Sequence, residues 1–231
     1  MAPTARSLTT QWMVASPYMH APDDAWLMPF VPRTGKRDPR FSVVPATYRH
    51  DRSRSITGAG GWGDYFDHGL TAWRRASQSK APAGIITCFP QLAAVVGLRN
   101  ALSRRPVPTI AWVFNLGHTP VGLKRKVAMR AFREISLFAV HSTPEIKAYS
   151  DWLEMPRERF RYVPLQRPPA KRFDGPSVGE PYAIALGSAK RDYASVLLAL
   201  GRLKMRAIVV AAPHALAGLH VPPNVEVKSG L

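Results

Sequence analysis

Cysteine is nearly missing from this chain. Cys88 is the only one among 231 residues, which excludes an intrachain disulfide and any zinc site built on several thiolates. Long apolar runs are missing as well. None approaches the ~18 residues that a membrane span needs, and the N-terminus has no basic-then-apolar signal pattern. Acidic residues are scarce: 15 Asp and Glu face 32 Lys and Arg, a formal net charge of +17. Such a balance favours an anionic partner, whether nucleic acid, an anionic membrane surface or a phosphorylated ligand. Arginine outnumbers lysine 23 to 9, and a guanidinium grips phosphate through two parallel bonds. Solvated surface arginines account equally well for much of this excess. No helix-turn-helix, zinc-finger or RNP pattern is present, so specific nucleic-acid binding is not expected.

Hydrophobic residues make up 46% of the chain, enough for a sizeable core. Their pattern is clearest over residues 84–164. Three apolar runs, GIITCF, TIAWVF and SLFAV, are each followed by a break and a segment of helical period. This alternation predicts parallel strands joined by crossover helices on both faces of a sheet. Ligands of open α/β sheets collect outside the carboxyl ends of the strands. Phe89–Gln91, Asn115–Thr119 and His141–Thr143 are therefore the first places to look.

Upstream, QWMVASPYM and FSVVPATYR are short and apolar enough to be early strands of the same sheet. The Pro-rich, charged stretch between them reads as loop. GAGGWG at 58–63 predicts a glycine-rich turn, with a helix from about Asp64. Glycine backbone permits close approach to a ligand, which makes Gly60, Gly61 and Trp62 candidates for a binding loop. A plain surface loop is the competing expectation, and Trp62 and Tyr65 suit either stacking on a sugar or burial in the core.

Pro90 suits the first position of a helix running to about Arg105. TIAWVF delivers Asn115-Leu116-Gly117-His118-Thr119-Pro120 to a strand's carboxyl end. His118 is suited to hydrogen bonding or proton transfer on a bound sugar or phosphate. In GLKRKVAMRAFREI, the residues Leu123, Val127, Ala131 and Ile135 recur at core-facing spacing. Lys126, Arg130 and Arg133 form a basic edge suited to peripheral contact with anionic lipid headgroups, or simply to solvent. Ser142 and Glu145 fit a capping box, with Pro144 near the first helical position.

Residues 165–181 hold four prolines and three basic residues, the composition of a linker. A second α/β pattern follows: YAIALG as strand, Gly187-Ser188-Ala189-Lys190-Arg191 as loop, Asp192 as N-cap, YASVLLALGRL as helix, RAIVVAA and NVEV as further strands. About 50 residues with two or three strands bury little surface alone. Either this unit docks on the first or the chain is a fragment of a longer protein, and we expect the fragment.

Three segments carry a family resemblance: TIAWVFNLGHT, SLFAVHSTPEIKAYSDWLEMPRERFRYVPL and YAIALGSAKRDYASVLLAL. In that order and spacing they resemble the retaining glycosyltransferases of the GT-B fold. The resemblance implies an α/β protein with a Rossmann-like acceptor lobe at 1–164, a linker at 165–181 and a partial Rossmann-like donor lobe at 182–231, the two lobes facing each other across a cleft. It implies a nucleotide-sugar donor as co-substrate, no cofactor, no bound metal, and a glycan or lipid-linked acceptor. By position, His118 would lie near the transferred sugar. Gly187, Ser188, Lys190 and Arg191 would lie near the donor diphosphate, and Gly60, Gly61, Trp62 and Asn115 on the acceptor side. A cytoplasmic protein, peripheral at the inner membrane face, fits that chemistry. The family's acidic motif, glutamate-x7-glutamate, has no counterpart after Arg191, so much of the donor site is expected to be missing from this form. The alternative is a non-catalytic basic protein that binds or scaffolds an anionic partner.

Overall fold

The computed structural model describes residues 9–22, 39–50, 59–165, 179–187 and 191–229. They fall into two compact units, divided after Arg167.

The first unit is built on six parallel strands: β1 (Gln11–Ala15), β2 (Arg40–Val44), β3 (Ala83–Cys88), β4 (Thr109–Trp112), β5 (Leu137–Val140) and β6 (Phe160–Tyr162). Their spatial order is β2-β1-β3-β4-β5-β6, and every pairing is parallel. Both short N-terminal apolar runs join this sheet, as their composition suggested. The intervening Pro-rich stretch lies largely outside the described residues.

Four helices connect these strands: α1 (Ala59–Ser77), α2 (Pro90–Ala101), α3 (Gly122–Phe132) and α4 (Thr143–Leu153). From β2 onward each crossover steps the same way across the sheet. Right-handed connections therefore put all four helices on one face. They lie side by side, α1 against α2, α2 against α3 and α3 against α4. Helices were expected on both faces; among the described residues all four lie on one. Trp12, Ile86, Ile110 and Leu137 on the opposite face are only partly covered, and Trp112 is exposed.

Three local expectations need correction. The glycine-rich turn at 58–63 is helical from Ala59, so Gly60, Gly61 and Trp62 belong to the first turn of α1 rather than to a loop. Tyr65, His68, Ala72 and Ala76 are buried at helical spacing, and this packing outweighs the roughly 1 kcal/mol per glycine that opposes helix. The helix from Pro90 ends at Ala101, short of Arg105. In α3, Ala131 and the following Ile135 are buried as expected. Leu123 and Val127 are 76% and 50% exposed, so over the first half of the helix this stripe is not covered.

The core beneath α3 and α4 is aromatic. Phe114 meets Phe132, Phe138 and Tyr149 edge-on at 5.0, 4.8 and 5.2 Å between centroids. Phe138 stacks on Phe160 at 4.7 Å. Such pairs are worth about 0.5–1.5 kcal/mol each beyond their buried area.

The second unit is a three-stranded parallel sheet in the order β7-β8-β9: β7 (Ala183–Leu186), β8 (Ala207–Val210) and β9 (Val225–Lys228). The helix α5 (Tyr193–Leu203) covers one face through Tyr193, Leu197 and Leu200, packed on Ala207, Val209 and Val225. Ile184 and Leu186, which point the other way, stay more than half exposed. Both units are α/β, and the first is Rossmann-like. Among the described residues no helix is long and apolar enough to cross a membrane.

Candidate functional site at the carboxyl edge of the sheet

The strand order reverses between β1 and β3, so the crevice outside their carboxyl ends is where the fold leaves room for a ligand. Three rings close over that point. Tyr18, just past β1, lies edge-on to Phe89, just past β3, at 5.4 Å. His50, past β2, lies 5.4 Å from each of them. From α1, the Tyr65 hydroxyl hydrogen-bonds His50 Nδ1.

A second tyrosine–histidine pair sits beside the first. His68 Nε2 is 2.7 Å from the Val44 carbonyl, which fixes it as the N–H donor. Nδ1 is then the acceptor, and the Tyr48 hydroxyl donates to it at 3.1 Å. Burial lowers the pKa of His68 despite the Val44 bond. Burial also raises both Tyr48 and Tyr65 well above the usual phenol range, each helped by the negative charge of Asp64. Tyr48, Tyr65 and His68 are therefore neutral at physiological pH. Trp62 extends the cluster along α1, 6.4 Å from Tyr65. Chemically the cluster offers aromatic faces and neutral hydrogen-bonding groups, with no carboxylate among its rings.

Two backbone positions at this edge are strained. Phe89 has φ +78° and Val113 has φ +56°, each immediately after its strand. Positive φ is costly for a bulky residue, and above all for a β-branched one. Val113 is the reason β4 stops at Trp112 rather than running through Phe114. Gln91, in the first turn of α2, holds its side-chain oxygen buried with no partner among the described residues.

The turn carrying His118 is fastened on both sides. Phe114 is fully buried. The Leu116 N–H donates to the Tyr149 hydroxyl at 3.2 Å. The Gly117 N–H donates to Asn115 Oδ1 at 2.8 Å, in a turn that Gly117 completes at φ +69°. Beyond it, Trp152 Nε1 donates to the Pro120 carbonyl at 2.8 Å. His118 and Asn115 are exposed between these anchors. The support comes from α4, whose Glu145 accepts the backbone N–H groups of His141 and Ser142 at 3.1 and 3.0 Å. The expected Ser142–Glu145 cap is thus present. His141 donates Nδ1–H to the Val163 carbonyl at 2.8 Å, and its buried Nε2 has no partner among the described residues.

In the second unit, Gly187 follows β7 with φ +112°. A Cβ there would stand 3.3 Å from Arg191 Nε, so the guanidinium lies against the glycine backbone. The Tyr193 hydroxyl donates to the Gly187 carbonyl, and Asp192 caps α5 through the Ser195 N–H at 3.1 Å. Gly187 and Arg191 are brought together at a strand's carboxyl end. Ser188 and Lys190 lie outside the described residues.

Asn115 and His118 thus share one turn, and Trp62 joins the aromatic cluster from the start of α1, which Gly60 and Gly61 also form. Phe89 belongs to one of the post-strand stretches singled out in the sequence; the residues that sequence reasoning passed over are Tyr18, Tyr48, His50 and His68. A signal for them exists: Tyr18-Met19-His20 and Tyr48-Arg49-His50 repeat a Tyr-x-His pattern just after each of the first two strands. No protein-family model matches the chain, and no curated protein matches it.

Proposed function

We propose that the chain contains the acceptor lobe, and the beginning of the donor lobe, of a GT-B glycosyltransferase that moves a sugar from a nucleotide sugar to a glycan or lipid-linked acceptor. The observation that carries this reading is the presence of two separate all-parallel units in one chain, each with a fastened polar turn at a strand's carboxyl end. Supporting it are the exposed His118 on its anchored turn and the guanidinium of Arg191 laid against Gly187. A guanidinium and loop amides suit the charge that develops on a departing nucleoside diphosphate. In this reading Arg191, Lys190, Ser188 and the Gly187 backbone hold the diphosphate. His118 bonds the transferred sugar, and Asn115, Trp62 and the start of α1 face the acceptor. The nucleotide sugar is a co-substrate and no cofactor takes part. The protein acts in the cytoplasm.

The test is release of nucleoside diphosphate from a panel of nucleotide sugars, offered with glycan and lipid-linked acceptors, by the longest natural form of the chain. Turnover that falls at least about 100-fold in His118→Ala is the expected result. Undiminished transfer by that variant removes His118 from the mechanism, and absence of turnover across the panel removes the enzyme reading. The second reading, a non-catalytic protein for an anionic partner, is favoured by the net charge of +17. Retained anion binding without turnover would select it.

A further inference from the structure

Within the first unit, the described residues leave one face of the first half of α3 uncovered. Val121, the residue before the helix, is 81% exposed, Leu123 is 76% exposed and Val127 is 50% exposed. Leu123 and Val127 are one turn apart and share a stripe. Lys124, Lys126, Arg130 and Arg133 are exposed on and beside it. Arg125 is excluded, since its guanidinium is held by the Trp152 carbonyl and by Glu154, at 2.9 and 2.8 Å. Along one flank a groove of about 240 Å³ runs between Met129, Arg130 and Arg133 on one side and Leu153, Glu154 and Met155 on the other.

We propose that this face is a docking surface for an anionic lipid bilayer, with Leu123, Val127 and Val121 entering the headgroup boundary and the surrounding cations pairing with lipid phosphates. Charge and apolarity together select that occupant. The stretch from Val121 to Glu134 carries five basic residues and one acidic one, so a second copy of the same face would be repelled. A polyanion such as nucleic acid would satisfy the cations but has no use for two exposed aliphatic side chains a turn apart. An anionic membrane uses both, and each Lys or Arg near its surface strengthens binding severalfold. The inference stands on exposure and charge and does not depend on sugar transfer.

Vesicle flotation of the 231-residue chain tests it, with vesicles of phosphatidylcholine alone and with about one third phosphatidylglycerol. The protein is expected to float with the anionic vesicles and stay behind with the neutral ones. Lys124→Ser with Lys126→Ser lowers partitioning on the order of 30-fold. Leu123→Ser with Val127→Ser lowers it about 10-fold at the same salt. All four side chains are exposed, so circular dichroism and Tm should be unchanged in both variants. The proposal is overturned if the wild type ignores anionic vesicles or binds both kinds equally. It is also overturned if the aliphatic double variant floats like the wild type, which would leave a plain electrostatic patch of the kind nucleic acid uses.

Discussion

Gly97 sits in the middle of α2, where helix propensity and tertiary packing make opposite predictions. Replacing an interior helical glycine by alanine stabilises an isolated helix by about 1 kcal/mol. In this fold a Cβ at Gly97 would fall 1.8 Å from the carbonyl oxygen of Ala131 and 2.8 Å from its carbonyl carbon. The obstacle is α3 backbone, and no rotamer change removes it. Restoring an ordinary contact requires α2 and α3 to part by more than an ångström. That would open the packing around Phe132 and Ile135, both nearly fully buried. Overpacking of this severity costs about 3 kcal/mol or more, which exceeds the propensity gain. The net loss of about 2 kcal/mol should therefore lower the Tm of the first unit in Gly97→Ala by roughly 4–8 °C, read by near-ultraviolet circular dichroism from its aromatic core. Ala131→Gly should not rescue the variant, since the clash is with main chain. A neutral or raised Tm, or rescue by Ala131→Gly, would show that the two helices are not in the contact described.

Three further outcomes follow from the site. Burial pushes the Cys88 thiol up to about 11, against a smaller pull from the Ser16 hydroxyl. Its reaction with a thiol reagent at pH 8 should therefore be on the order of 100-fold slower than in the urea-unfolded chain, and equal rates would refute the burial. His68 has a lowered pKa, so below about pH 6.5 the unfolded chain takes up a proton that the folded protein does not. Stability should fall as pH drops through that value toward the folded pKa, with Asp67 opposing the effect and His20 adding to it. His68→Gln, which keeps a donor for Val44 and an acceptor for Tyr48, should flatten the change in urea midpoint between pH 7.5 and 5.5; an unchanged slope would exclude His68 as its source. Tyr149→Phe removes the acceptor of the Leu116 N–H and should cost about 1–3 kcal/mol. Hydrogen exchange at Leu116 should then quicken at least about tenfold, and unchanged protection would mean that the turn is held some other way.

The strands were legible because each reads as an unbroken apolar run, even though the described helices cover only one face of the sheet, and the breaks at Pro90, Gly122 and Pro144 mark where chain turns into helix. Their length was less legible. TIAWVF looks like a strand through Phe114, but the left-handed Val113 turns the chain two residues earlier, and nothing in the residue types announces that turn. The α3 stripe misled for a different reason. Period alone reports that Leu123, Val127, Ala131 and Ile135 share a helix face, and says nothing of how far along the helix the neighbouring layer extends. Only the burial shows that the stripe is covered from Ala131 onward.

The site follows the same division between local and distant causes. The capping of α4 and the Asn115–Gly117 turn are contained within a few residues, and local chemistry is enough to place them. The aromatic cluster is assembled from Tyr18, Tyr48, His50, Tyr65, His68 and Phe89, contributed by three post-strand segments and one helix, so no window of sequence contains it. It exists because β1, between β2 and β3 in space, brings three carboxyl ends to one edge while α1 passes beside them. The repeated Tyr-x-His after β1 and β2 becomes meaningful only once those strands are known to be neighbours. His20 then bonds the Ala46 carbonyl at 3.0 Å, tying the first repeat to the strand end that precedes the second. The cluster thus joins the segment after β1 to the segment after β2 directly.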